Sequence, residues 1–378
     1  MTVRWGLVGA VILICSFVVG CSSVPLKRPQ SLPDYAMSVT TADGWDLSLF
    51  RRRPAGKEVH GTPVLLVPSV GMNRMSFTAE GSDLAGYLSV HGFDVWLLDV
   101  RGSVSSRSPD HVTWAKSAWT FSDLLNHDVP AAVEAIVGET GRDGVAWVGH
   151  GLGAHLGAKY AAANPGRVTA LVGLGLAGNC AYPTQAQKRM SAGGGLAAGG
   201  RGVPLRALGR AVSTTLHLAP DTPLLHSFFN ESNVSTEAVA NFAGEGLEDI
   251  PRSLLNELEV WCAGEEAPTD FFSGDFSTAA APALFLSGRV DPLAPAWAVQ
   301  AAWETWGATE KEAVILGEGW GQAHDYGHLA LVLGDGVRDE VFPLILDWLV
   351  AERASGGGAE EDVPSYPAGG ASEAAPVP

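Results

Sequence analysis

The stretch 143-DGVAWVGHGLGAHLGAKY-160 carries the reading of the fold. Its apolar run from Val145 to Val148 has the length and composition of a buried strand. The run passes directly into Gly149-His150-Gly151-Leu152-Gly153, and a helical segment of small residues follows. A strand that turns sharply into a helix through alternate glycines is the layout of a nucleophile elbow, G-x-S-x-G. The middle residue of that motif carries a reactive hydroxyl or thiol. Here it is Gly151, which has no side chain.

Outward from the elbow, strand and helix patterns alternate. Met37 to Thr41 and Trp45 to Arg51 flank Asp43-Gly44, a hairpin signal. Strands are expected at Val64 to Val67, Phe93 to Leu98, Arg167 to Gly173, Ala283 to Leu286 and Glu312 to Leu316. Helices are expected at Ser82 to Val90, Val129 to Glu139, Ala294 to Trp306 and Val337 to Glu352. Short apolar runs separated by helical patterns indicate a parallel sheet covered on both faces. Residues 176–280 break the alternation with a glycine-rich run, 191-SAGGGLAAGGRG-202, and aromatic pairs such as Phe228-Phe229 and Phe271-Phe272. No Gly-Lys-Ser/Thr follows that run and no strand precedes it, so it is lid surface and not a phosphate loop. Asn230-Glu-Ser and Asn233-Val-Ser match glycosylation acceptors and are read as chance matches.

The 378 residues, 46% hydrophobic and 17% charged, suffice for one large α/β domain with an insertion, or for two domains. A formal net charge of −17 argues against nucleic acid as a partner, because phosphate binding needs a basic surface. Arg4, the apolar run Leu7 to Val19 and the ending Val18-Val19-Gly20-Cys21 describe a secretory signal that resembles a bacterial lipobox. On that resemblance residues 1–20 are a lipoprotein signal, Cys21 carries the lipid, and Ser22 implies outer-membrane sorting in a diderm cell envelope; an uncleaved anchor or an ordinary signal are the alternatives. Residues 21–35, rich in Pro and Ser, form a tether, and residues 354–378, rich in Gly, Ala and Pro, a disordered tail. Of the four cysteines, Cys15 leaves with the signal, so Cys180 and Cys262 remain as a disulfide candidate in an oxidising compartment.

Five further segments keep the elbow company: 63-PVLLVPSVGMNRMSF-77, 92-GFDVWLLDVRGS-103, 118-AWTFSDLLNHDVPAAVEAIVGETG-141, 284-LFLSGRVDPLAP-295 and 326-YGHLALVLG-334. In order and spacing the set resembles the α/β-hydrolases. It is most similar to the acid/gastric lipase branch and its bacterial relatives, and more loosely to polyhydroxyalkanoate synthases. The resemblance runs from about Met37 to Glu352. It implies a mostly parallel sheet with helices on both faces, built from residues 36–175 and 281–353, with residues 176–280 inserted as a cap.

The family's triad runs nucleophile, acid, histidine along the chain. The resemblance places the acid at Asp291, although an Asp before Pro292 also suits a turn or a helix cap. It places the histidine at His328, with His324 four residues earlier as the rival. The two histidines form only a weak H-x-x-x-H metal pattern, and no metal or other cofactor is expected. The oxyanion donors would be the backbone N–H groups of Leu152 and Val70. Relatives commonly read His-Gly where this chain has Pro68-Ser69, which is a second departure. At the nucleophile position stands Gly151. His150 should diverge from the cleft, and two replacements stay open: Ser69, or a water activated by His328.

Two readings follow. One is a lipid-anchored, lipase-like protein that binds a small apolar or acyl-ester ligand with weak or no triad hydrolysis. The other is an active carboxylic-ester hydrolase using water or a displaced nucleophile. A protein-interaction role for the cap has no sequence feature of its own.

Overall fold

The computed structural model describes residues 35–55, 59–110, 118–178, 202–216, 233–263 and 276–355. The signal segment, Cys21, nearly all of the tether and tail, and Cys180 lie outside the described residues, so the Cys180–Cys262 pairing does too.

Ten strands are described: β1 (Tyr35–Thr40), β2 (Asp46–Arg52), β3 (Val64–Val67), β4 (Val95–Asp99), β5 (Val145–His150), β6 (Val168–Leu174), β7 (Gly202–Val203), β8 (Ile250–Pro251), β9 (Ala283–Gly288) and β10 (Lys311–Leu316). Eight of them form one sheet in the order β1-β2-β4-β3-β5-β6-β9-β10. The β1–β2 and β2–β4 pairings are antiparallel; every other neighbour in this sheet is parallel. The sheet is therefore mostly parallel, as the alternation of patterns requires.

The central strands read as unbroken apolar runs because both of their faces are buried. Leu65, Val67, Trp96, Leu98, Val145 and Trp147 enter one core. Their neighbours Val64, Leu66, Val95, Leu97, Ala146 and Val148 enter the other. That two-residue alternation is the pleat of the strand. Helices α1 (Leu84–Val90), α2 (Val129–Thr140), α3 (Leu152–Ala163), α7 (Ala296–Thr305) and α8 (Phe342–Ser355) supply the covering layers. Between β6 and β9 lie α4 (Leu205–Leu216), α5 (Thr236–Glu245), α6 (Arg252–Ala263) and the small antiparallel pair β7–β8. Cys262 is in α6. Among the described residues no helix is long and apolar enough to cross a membrane.

Two boundaries differ from expectation for identifiable reasons. The final helical pattern is split into Val337–Glu340 and α8, because Pro343 has no N–H to continue the ladder. A π-helical turn at Leu124–Asp128 precedes α2, where the pattern gave no sign of one. Asn233, one of the chance glycosylation matches, is fully buried; its amide donates to the Asp325 carbonyl and its oxygen accepts from Gly336 N–H.

Candidate active site

β5 ends at His150, and the chain reverses into α3 through Gly151 at φ 52°, ψ −120°. This backbone strains any residue with a Cβ, and glycine relieves it. On either side the glycines are required for space. A Cβ on Gly153 would strike the carbonyl oxygens of Val67 and Pro68, and one on Gly149 would strike the backbone of Ala154. The turn holds its shape through Gly151 N–H, which donates to the Leu174 carbonyl at 2.8 Å, and through the Gly151 carbonyl, which accepts from His155 N–H at 3.1 Å. The sharp strand-to-helix turn is thus held by its glycines, and position 151 presents no side chain.

Asp291 follows β9 and is buried. Its Oδ1 accepts the N–H groups of Leu293 and Ala294, each at 2.8 Å. Its Oδ2 accepts from Nδ1 of His328, also at 2.8 Å. The carboxylate thus serves as a turn cap and as the partner of a histidine at once. Burial raises its pKa, but the charge and hydrogen bond of His328 and the two backbone donors outweigh that and hold it below the usual carboxylate range. With Nδ1–H committed to Asp291, the lone pair of neutral His328 lies on Nε2, the tautomer a general base needs. His324, the rival, packs instead against Gly336. No cluster of three metal-ligating side chains occurs among the described residues.

The slot between these groups is small and well defined. A Cβ built on Gly151 would lie 3.0 Å from His328 Nε2, 2.7 Å from Ser69 Oγ and 3.2 Å from Ser69 Cβ. Leu152 N–H donates to Ser69 Oγ at 3.3 Å. Val70 is buried beside it in the same loop, and its N–H makes no hydrogen bond among the described residues. The structure therefore gathers Gly151, Leu152, Ser69, Asp291 and His328 at the C-terminal edge of the sheet.

The loop that carries Ser69 and Val70 is tied to the insertion. The Gly71 carbonyl accepts from Glu248 N–H at 2.8 Å, Met72 forms a bridge with Leu247, and the Asn73 amide donates to Glu248 Oε1 at 2.9 Å.

One contributor escaped sequence reasoning. Gly175, just past β6, leaves the room that the acid–histidine pair occupies: a Cβ there would meet His328 Cε1 at 2.9 Å and Nδ1 at 3.1 Å. A glycine directly after a strand was its one visible sign. His150, expected to diverge from the cleft, is fully buried and packs against His328, with ring centroids 4.5 Å apart. Its Nε2–H donates to the His328 carbonyl at 3.1 Å, and its Nδ1 is buried without a partner among the described residues. Burial, aided by the charge of His328, pushes its pKa down to about 3.

A family model described as alpha/beta hydrolase fold matches residues 62–334. Among curated proteins, gastric triacylglycerol lipase of Mus musculus is 30% identical over 151 residues, 35% of this chain and 36% of that protein. Triacylglycerol lipase 2 of Arabidopsis thaliana is 33% identical over 131 residues, 32% of this chain and 31% of its own. The chain thus matches about a third of the length of these relatives. Among solved structures, a carboxylesterase of Nitrososphaera gargenis aligns with a TM-score of 0.58 at 14% identity, over 84% of this chain and 100% of that one. An esterase of Thermogutta terrifontis aligns at 0.53 with 17% identity, over 84% and 99%. At such identities these two structures speak to fold alone.

Proposed function

The chain belongs to the alpha/beta hydrolase fold family, and from that we propose a lipase/esterase-related protein that binds an acyl ester or similar apolar ligand at the elbow. It acts on the ester slowly, through Asp291 and His328, with no nucleophile on the elbow itself. Lipid on Cys21 anchors it to the bacterial cell envelope, on the outer membrane.

One observation carries the reading. His328 Nε2, oriented by Asp291, stands 3.0 Å from the place where a side chain at position 151 would begin. The histidine is positioned to take a proton from whatever oxygen occupies that place. An oxygen there, from a water or a neighbouring hydroxyl, would lose its proton to Nε2 as it attacks the ester carbonyl, and the leaving alcohol would take the proton back. Leu152 N–H and Val70 N–H are the candidate donors to the developing oxyanion. Triad enzymes stripped of one member keep roughly 10³–10⁴-fold acceleration over water, which sets the scale of turnover expected.

The test uses the full chain with a series of short- and long-chain esters. Slow hydrolysis that disappears in His328→Ala supports the reading; hydrolysis unaffected by His328→Ala refutes it. A second reading, ligand binding without turnover, is favoured by Gly151 itself and would show as saturable acyl-ligand affinity with no product. Anchoring is tested separately: Cys21→Ala should move the protein from the membrane fraction to the soluble one.

A further inference from the structure

We propose that Ser69, on the loop after β3, is the nucleophile that replaces the missing elbow side chain. The inference rests on the ester-processing reading above and names the group that receives the acyl chain.

The first support is the sharing of space. A Cβ on Gly151 would come within 2.7 Å of Ser69 Oγ, closer than real Cβ atoms approach a neighbour. A side chain at 151 and Ser69 in its present rotamer exclude each other, so the Ser69 hydroxyl fills the volume that the elbow left open. Glycine at 151 and serine at 69 are, sterically, one arrangement.

The second support is the chemistry around that volume. His328 Nε2 lies 3.0 Å from the same point and makes no hydrogen bond among the described residues. Ser69 Oγ accepts from Leu152 N–H, which leaves the hydroxyl proton available to a base. Catalytic hydrogen bonds often form only when substrate is bound, so a Ser69 hydroxyl in this slot passes its proton to Nε2 in the substrate complex. Val70 follows Ser69 in the chain just as Leu152 follows Gly151, so a candidate oxyanion donor comes directly after each position. The backbone beneath it is fixed: the Ser69 carbonyl accepts from Met72 N–H at 3.0 Å, and Gly71 is held by Glu248.

The reaction balances as two acyl transfers. Ser69 Oγ attacks the ester carbonyl carbon while its proton moves to His328 Nε2, and the carbonyl π pair becomes the oxyanion. Collapse breaks the bond to the alcohol oxygen, which leaves with the proton from Nε2. Water then gives its proton to Nε2, attacks the acyl carbon, and releases the carboxylic acid as Ser69 Oγ takes that proton back.

The test is a fluorophosphonate probe on the full chain, with the labelled residue located by peptide mass spectrometry. The expected result is a single label on Ser69, absent in Ser69→Ala and in His328→Ala. Ester turnover should fall about 100-fold or more in Ser69→Ala. Ser69→Cys, which keeps a nucleophile of similar size, should accumulate a thioester with an activated ester and guards against an alanine variant that does not fold. Hydrolysis that needs His328 but persists in Ser69→Ala, with no label on Ser69, overturns this inference and leaves the water route standing. Absence of both hydrolysis and label overturns both. A label on any other serine refutes the assignment directly.

Discussion

Gly151→Ser asks the elbow to take back a side chain, and the structure sets its cost. The backbone at φ 52°, ψ −120° costs a residue with a Cβ about 1–3 kcal/mol. The new Cβ would sit 2.7 Å from Ser69 Oγ, so Ser69 must rotate away and give up Leu152 N–H. That lost hydrogen bond is worth about 1 kcal/mol. Together the destabilisation is about 2–4 kcal/mol, and at about 2–3 °C per kcal/mol the melting midpoint should fall by about 4–12 °C. Ser69→Gly should relieve the collision but not the backbone strain. A thermal-denaturation cycle over the wild type, both single variants and the double variant should therefore show a coupling of about 1 kcal/mol in favour of the double. The double variant should also take a fluorophosphonate label at position 151, where the single Gly151→Ser competes with Ser69 for the slot. A Gly151→Ser protein as stable as the wild type would falsify the strain account, and strict additivity would show that the two positions do not share one volume.

Three other perturbations probe the scaffold around the slot. His150 titrates near 6.5 in an unfolded chain and at about 3 in the folded one, so between those values only the unfolded state takes up the proton. Its stabilising contribution is present above pH 6.5 and is lost as pH falls, by about 2 kcal/mol between pH 7 and pH 5; urea titrations of His150→Gln should show a pH slope shallower by that amount, and equal slopes would count against it. Arg101 bridges buried Asp128 through Nε at 2.7 Å and Asp43 through a terminal nitrogen at 2.8 Å. Burial pushes the Asp128 pKa up to about 7; Arg101→Met removes its counter-ion and should cost about 3–5 kcal/mol in chemical denaturation above that pH, while a loss under 1 kcal/mol would mean that Asp128 takes up a proton in place of the ion pair. Gly153→Ala drives a methyl into the carbonyl oxygens of Val67 and Pro68, so soluble yield and melting temperature should both collapse; a protein of native stability would show that α3 can slide away from β3.

Much of the scaffold was legible because burial writes itself into composition. Val64 to Val67 and Val145 to Val148 read as strands since both faces of the sheet are covered and every residue in them is apolar. The resemblance singled out Asp291 and His328, which the structure brings into a hydrogen bond, and the absence of a side chain at Gly151 was plain in the letters. The broken final helix was less legible, since Pro343 competes with a strong apolar pattern around it.

By itself, the sequence determined the local backbone: strands, helices and the sharp glycine turn after β5. Those follow from forces acting within a few residues, such as pleat, turn sterics and capping. Only the tertiary structure decided what fills the slot at Gly151. Ser69 reaches it from the end of β3, His328 from beyond β10, and Gly175 makes room from the end of β6. That meeting depends on the parallel register of β3, β5, β6, β9 and β10, set by side-chain packing across the whole sheet, and no short-range pattern encodes it.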